Sequence, residues 1–159
     1  MLILMEGVVM CFILLIICVI GIAHGPVGLV VFYEDDVKDR VVELGYTTKE
    51  KIARTTLITT AALFVPVLVL VPAMVYGING AEGFMDGFTQ MTAVMLIMGL
   101  FDRLFIDEYW VGHTKAWEIP GTEDLKPYIP MRTRIGKWIG TLVGFPLMAA
   151  AIAAVMTLL

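Results

Sequence analysis

Charged residues are scarce in this sequence, and their scarcity excludes an ordinary soluble domain. Only 16% of the 159 residues are Asp, Glu, Lys or Arg, whereas soluble domains contain about a quarter. Hydrophobic residues make up 59% of the chain, and the mean hydropathy is +0.88. One domain of this length cannot bury so much apolar surface in its own core, so we expect lipid to cover part of it.

Several signatures of enzymes and binding proteins are missing. The sequence contains no Walker phosphate loop, no GxGxxG and no GxSxG. It has no ligand spacing such as HExxH, so it predicts no metal site. Whether the protein binds a cofactor is left open by the sequence. The two cysteines, Cys11 and Cys18, form no CxxC pair, and we expect them to be small apolar fillers. The basic residues are few and mixed with acidic ones, which argues against nucleic-acid binding.

Four long apolar stretches predict an all-α integral membrane protein, a four-helix bundle forming one transmembrane domain over residues 1–159. A bilayer core of about 30 Å needs about 20 helical residues, and each stretch is long enough. The predicted helices span about 2–31, 48–78, 81–110 and 133–159. Because Met1 to Gly7 contains no Lys or Arg, we expect the first stretch to be a retained helix rather than a signal peptide.

The first apolar stretch is too long for one straight span, and it leaves two registers open. Pro26 can kink or stop a helix because it lacks an N–H and clashes with the preceding turn. In one register the span covers about residues 2–23, and His24 lies at the membrane interface. In the other it covers about 8–31, and His24 lies inside the hydrocarbon.

A short amphipathic helix is predicted between the first two spans, at about 34–44. Val37, Val41 and Leu44 repeat at helical spacing among charged residues. This pattern is typical of a helix lying along the membrane surface.

The basic residues predict the orientation. None of the eleven lies near a terminus or in the turn between the second and third spans. All of them fall in or beside two connectors: Lys38, Arg40, Lys49, Lys51 and Arg54; then Arg103, Lys115, Lys126, Arg132, Arg134 and Lys137. By the positive-inside rule we expect both connectors in the cytoplasm and both termini outside, in the plasma (inner) membrane.

The segment from Phe101 to His113, at the connector end of the third span, carries the most chemistry. Arg103 and Asp107 are four residues apart and predict an ion pair. Asp102 follows an unbroken apolar run, and an ionisable group at that depth usually faces the bundle interior or a wet cavity. In the second register His24 reaches a similar depth. We therefore predict a His24–Asp102 hydrogen bond, which is either a proton-handling or substrate-binding pair or a structural clamp.

These residues define a candidate site. The candidate catalytic residues are His24, Asp102, Asp107 and His113, with a histidine as general base and an aspartate orienting it. The candidate substrate- or lipid-binding residues are Arg103, Glu108, Tyr109, Trp110, Arg132 and Arg134. The loop from Trp117 to Tyr128 is either part of an interfacial aromatic belt or a lid over this site.

Three functions remain open at this point. The first is a cytoplasm-facing polar pocket that binds a small molecule or lipid headgroup and possibly makes the protein a membrane-embedded enzyme. The second is a proton-coupled transporter acting as a homo-oligomer, with Asp102 and His24 as the titrating pair. The third is a non-catalytic accessory or structural subunit. The fourth predicted span carries a row of small residues, Gly136, Gly140 and Gly144. This row packs against another helix either inside the monomer or in a second copy of the chain. Membrane lipids are the other expected partners.

Overall fold

A computed structural model describes residues 1–158 and confirms the all-α prediction. No strand occurs within this range. The helices are α1, Leu2–Ile22; α2, Asp35–Glu43; α3, Lys49–Ile78; α4, Gly83–Val111; and α5, Met131–Leu158. The predicted end of the fourth span at residue 159 lies outside the described residues.

Four of these helices, α1, α3, α4 and α5, are long and apolar enough to cross a membrane. Between 17% and 33% of the most apolar part of each is buried inside the protein. The remaining apolar surface needs lipid to cover it, because it could not stay in contact with water. The chain is therefore a four-helix membrane protein, as its composition indicates.

The end of α1 bears on the choice between the two registers. The helix ends at Ile22, and Gly25 has a φ of +107°. Such a φ favours glycine and breaks the helix, and Pro26 then begins a separate 3₁₀ segment, Pro26–Phe32. The prediction of one helix over 2–31 is thus wrong. The bounds of α1 match the shorter of the two spans, and exposed His24 lies in the turn after it.

The amphipathic helix between the first two spans is confirmed as α2. Val37 and Val41 are fully buried on its inner face, while Asp35 and Asp39 are exposed on the other. The helix begins and ends within one residue of the predicted bounds.

Both connectors lie at one end of the bundle, which we call the connector end (residues 23–48 and 112–130). The opposite, turn end carries both termini and residues 79–82. Arg40 in α2 donates to the Gly121 carbonyl at 3.1 Å and to Asp124 at 3.3 Å in the second connector. The Thr133 hydroxyl donates to Glu34 at 2.5 Å. The bonds of Arg40 hold the two connectors together, and the bond of Thr133 joins the first connector to the start of α5.

Helix α4 lies at the centre of the bundle and packs most extensively against α1 and α5. Two glycines allow the close approach. A Cβ on Gly7 of α1 would lie 2.7 Å from the Ile97 side chain of α4, and one on Gly99 of α4 would lie 2.6 Å from Thr141 of α5. Because lipid provides no hydrophobic drive between helices, such close packing is what holds a membrane bundle together.

Candidate functional site

A cavity of about 310 Å³ lies between α1, α3, α4 and α5. Its volume is at the lower limit of small-molecule pockets, which begin near 300 Å³. The walls are almost entirely apolar, and they include Leu14, Leu63, Phe64, Val67, Met98 and Met148. Its polar groups are concentrated where α4 approaches the connector end. The pocket is therefore less polar than the sequence alone indicates.

The cavity is closed toward the turn end by tightly packed apolar side chains. Met10 of α1 is part of the wall, and Met91, Met95, Val71 and Val75 follow one to two turns farther along α4 and α3. All five are at most 1% exposed. Nothing among these side chains offers a polar path from the cavity to the turn end.

A cluster of four charged side chains forms the polar end of the cavity: Asp102, Arg103, Asp107 and Lys137. Arg103 contacts the Asp102 carboxylate, and its Nη1 lies 2.5 Å from Asp107 Oδ2. The predicted Arg103–Asp107 ion pair is therefore confirmed. This part of α4, Asp102–Val111, is a π-helix, a widened geometry that is frequent at functional sites.

Lys137 connects this cluster to α5. Its Nζ donates to Asp107 Oδ1 at 2.7 Å, so Asp107 binds two cations from two helices. From the sequence we considered Lys137 only as one of several basic residues near the membrane surface. No local sequence pattern indicates this role, because the contact of Lys137 with Asp107 depends on how α5 lies against α4.

The 117–128 loop packs over the same end of the cavity, where Trp117 and Tyr128 form part of the lining together with Tyr33. The Tyr33 hydroxyl donates to the Trp117 carbonyl at 2.5 Å, and the Tyr33 and Tyr128 rings meet edge to face at 5.0 Å. Burial, with a smaller effect of Tyr128, raises the pKa of Tyr33 well above its ordinary value. No sequence pattern indicates this role of Tyr33, because a tyrosine after an apolar stretch is common at membrane interfaces.

The 117–128 loop is also fixed by its own polar contacts. Tyr128 Oη accepts from the Ile119 N–H at 3.3 Å and lies 2.9 Å from Thr122 Oγ1. Lys126 bonds Glu118 at 2.5 Å, and this bond raises the pKa of the exposed Lys126 ammonium. The loop is thus an ordered part of the cavity boundary.

The predicted His24–Asp102 hydrogen bond is wrong. Asp102 contacts Arg103 instead, and His24 is exposed and has no hydrogen bond to any residue of the described chain. The reason is that α1 passes Asp102 before it ends, since Leu14 and Cys18 line the cavity together with Asp102 and Asp107. His24, in the turn after α1, therefore lies beyond Asp102 toward the connector end. His113 is also exposed, with Nδ1 2.6 Å from the Glu108 carbonyl. It lines a second cleft at the connector end, which adjoins the cavity and shares Asp107 and Tyr128 with it.

The other candidate binding residues lie around the site rather than in the cavity. Glu108 forms an ion pair with Arg134 at 3.1 Å, and both side chains are about half exposed. Trp110 packs edge to face on Trp117 at 5.3 Å. Tyr109 and Arg132 are exposed.

A second polar cluster lies at the turn end. Asn79 Nδ2 donates to Glu6 Oε2 at 3.0 Å and to Gln90 Oε1 at 2.9 Å. Glu6 is only 7% exposed, and Glu6 Oε1 and Asn79 Oδ1 both lack a hydrogen-bond partner in the described chain. A buried carboxylate without a basic partner is costly in the membrane.

Comparison with known proteins adds no family to this description. A scan against protein-family models, a search of curated proteins and a search of solved structures each found no match to this chain.

Proposed function

We propose that this protein binds a small molecule or a lipid in the cavity between its four helices. The observation that carries the proposal is the cavity itself: about 310 Å³ with apolar walls, a charged end and a boundary formed by an ordered loop. An apolar pocket with a few convergent polar groups is the usual form of a small-molecule site.

The route of entry follows from the exposed rim. Phe64 of α3 and Phe32 before α2 line the cavity and are 46% and 40% exposed, respectively. The surface of α3 around Phe64 lies within a span, so a ligand entering there comes from the lipid. This favours a ligand that is dissolved in the membrane.

The apolar seal at Met10, Met91 and Met95 favours a binding protein or an enzyme over a transporter. A transporter needs a path to both sides, and this seal lies between the cavity and the turn-end cluster around Glu6. Chemistry in the cavity would depend on Asp102, Asp107 and Lys137, since neither histidine is part of its lining.

The proposal is tested by photocrosslinking. The purified protein in lipid nanodiscs is irradiated with a short alkyl diazirine, and the labelled residues are identified by mass spectrometry. We expect saturable labelling of cavity residues, which Val67→Phe reduces by filling the space next to α4.

Val65→Phe is the matched control, because Val65 lies on the same helix but is 54% exposed and outside the cavity lining. It should leave the labelling unchanged. Labelling that never saturates, or that both variants affect equally, would show that the cavity holds no specific ligand.

We further propose that the connector end faces the cytoplasm, on the basis of the eleven basic residues. Exposed Lys115 and Glu82 lie at opposite ends of the bundle. In intact cells, a membrane-impermeant thiol reagent should modify Glu82→Cys but reach Lys115→Cys only after permeabilisation. The reverse pattern would invert the orientation.

A second candidate role, assembly through α5, is favoured by one observation. A Cβ on Gly136, Gly140 or Gly144 would meet no atom of residues 1–158 within 4 Å, apart from its chain neighbours and the nearby backbone of its own helix. The row therefore does not serve packing inside the monomer, and we propose that it contacts a second copy of the chain. Gly140→Ala should then weaken any dimer seen by light scattering.

A further inference from the structure

Two buried N–H groups beside the cavity have no hydrogen-bond partner among residues 1–158: Arg103 Nε and Trp117 Nε1. The Arg103 side chain is 10% exposed and Trp117 is 2% exposed. Both residues belong to the cavity lining. A third donor, Arg103 Nη1, lies close to Asp107 but is not aligned for a hydrogen bond with it. Buried donors are nearly always paired, so these N–H groups point to an acceptor on a ligand.

The charges of the cluster decide which kind of acceptor fits. Asp102 and Asp107 balance Arg103 and Lys137, so the four side chains sum to zero. Both cations already contact a carboxylate. An anionic ligand would therefore add an uncompensated charge against apolar walls, which is strongly unfavourable. A neutral oxygen can accept from an indole N–H and from Arg103 Nε without that penalty.

The volume sets the size of the bound part. At the roughly 30 Å³ that one water occupies in the liquid, a cavity of about 310 Å³ holds on the order of ten heavy atoms. A longer chain would extend into the bilayer past Phe64. Lipid tails are as apolar as the cavity walls, so the tail contributes little to selectivity. The polar contacts must supply it.

We propose that the ligand is a neutral amphiphile whose carbonyl oxygen, of the ketone, quinone or ester type, accepts hydrogen bonds from Arg103 Nε and Trp117 Nε1. This inference rests on the proposed function, because it names the ligand class of the same cavity. It distinguishes a neutral carbonyl compound from a fatty acid or another anionic lipid.

The experiment is a competition in the photocrosslinking assay. A methyl ketone, an alkane and a carboxylate of equal chain length, each with about ten heavy atoms in the size range set by the cavity, compete with the alkyl diazirine in nanodiscs. We expect the ketone to displace the probe at about tenfold lower membrane concentration than either of the others, the factor that corresponds to about one neutral hydrogen bond. The infrared band of a carbonyl-labelled ketone should also shift to lower frequency on binding.

Trp117→Phe is the decisive variant, because it keeps an aromatic ring in the packing and removes the indole N–H group together with part of the ring volume. It should abolish the infrared shift and most of the ketone's advantage over the alkane, and displacement by the alkane alone reports the effect of the lost volume. Trp138→Phe is the control, since Trp138 lies on α5 outside the cavity lining.

The outcomes separate the two proposals. Saturable labelling that is sensitive to Val67→Phe, but with equal displacement by ketone and alkane, would overturn the carbonyl inference and leave the binding function standing. Displacement that is strongest for the carboxylate would also overturn it, in favour of an anionic ligand. Absence of saturable labelling would reject both.

Discussion

Replacement of Asp107 by asparagine should destabilise the protein more than replacement of Glu108, the acidic residue that follows it on α4. Asp107 contacts Arg103 of its own helix at 2.5 Å and Lys137 of α5 at 2.7 Å. Its side chain is only 13% exposed. Asp107→Asn keeps the shape but removes the negative charge that both cations share.

The size of the effect follows from burial. Removing one partner of a buried ion pair costs about 3–5 kcal/mol, because an uncompensated charge remains in a poorly solvated site. Asp102 still contacts Arg103 and offsets part of this loss, so we expect a value near the lower limit, about 3 kcal/mol. Adding Lys137→Met to the variant removes one of the two stranded cations and should recover about 1 kcal/mol or more.

Glu108→Gln is the matched control. The Glu108–Arg134 pair joins the same two helices, one residue farther along α4, at 3.1 Å. Its side chains are 47% and 42% exposed. Water and lipid headgroups solvate such a pair, and we expect a loss below about 1 kcal/mol.

Reversible unfolding in mixed detergent micelles, followed by circular dichroism, gives the free energy of unfolding for each variant. The reasoning would be refuted if Asp107→Asn cost no more than Glu108→Gln. It would also be refuted if the second substitution at Lys137 added a further loss instead of a recovery.

Three further predictions concern other parts of the molecule. Glu6→Gln should raise the free energy of unfolding by about 1 kcal/mol, because it removes a buried charge while the new amide oxygen can still accept the hydrogen bond from Asn79. A loss of stability in the same assay would show that the charge is needed. Gly99→Ala should lower the free energy of unfolding by about 1–3 kcal/mol through its clash with Thr141. Gly140→Ala, by contrast, should leave the stability of the monomer unchanged or higher, and it should weaken any dimer seen by light scattering. If Gly140→Ala destabilises the monomer or leaves a dimer intact, the proposed α5 contact is wrong. Burial raises the pKa of Tyr33 above its ordinary value of 10.0. The contribution of Tyr33 to the free energy of unfolding is therefore fully present below pH 10 and is lost as the pH rises above it. Tyr33→Phe should remove this loss of stability at alkaline pH. The prediction would be contradicted if the free energy of unfolding fell with pH at the same slope in the variant and the unsubstituted protein between about pH 9 and pH 11.

The candidate site was predictable only in part. The Arg103–Asp107 pair follows from helical spacing, which places residues four apart on one face whatever the rest of the chain does. The contribution of Lys137 depends on how α5 lies against α4, and no local pattern records that. His24 was misplaced because its depth depended on whether Pro26 kinks the first helix or follows its end.

Composition and hydropathy by themselves determined the number of spans, the amphipathic α2 and the grouping of the basic residues, because insertion into a bilayer depends on the local transfer free energy of each segment. The tertiary structure decided the rest: an apolar cavity with a neutral charged cluster at one end, a loop that contributes Trp117 to its wall, and the burial of Glu6. These features arise from contacts between residues far apart in the chain. They depend on helix rotation and close packing, which hydropathy does not encode.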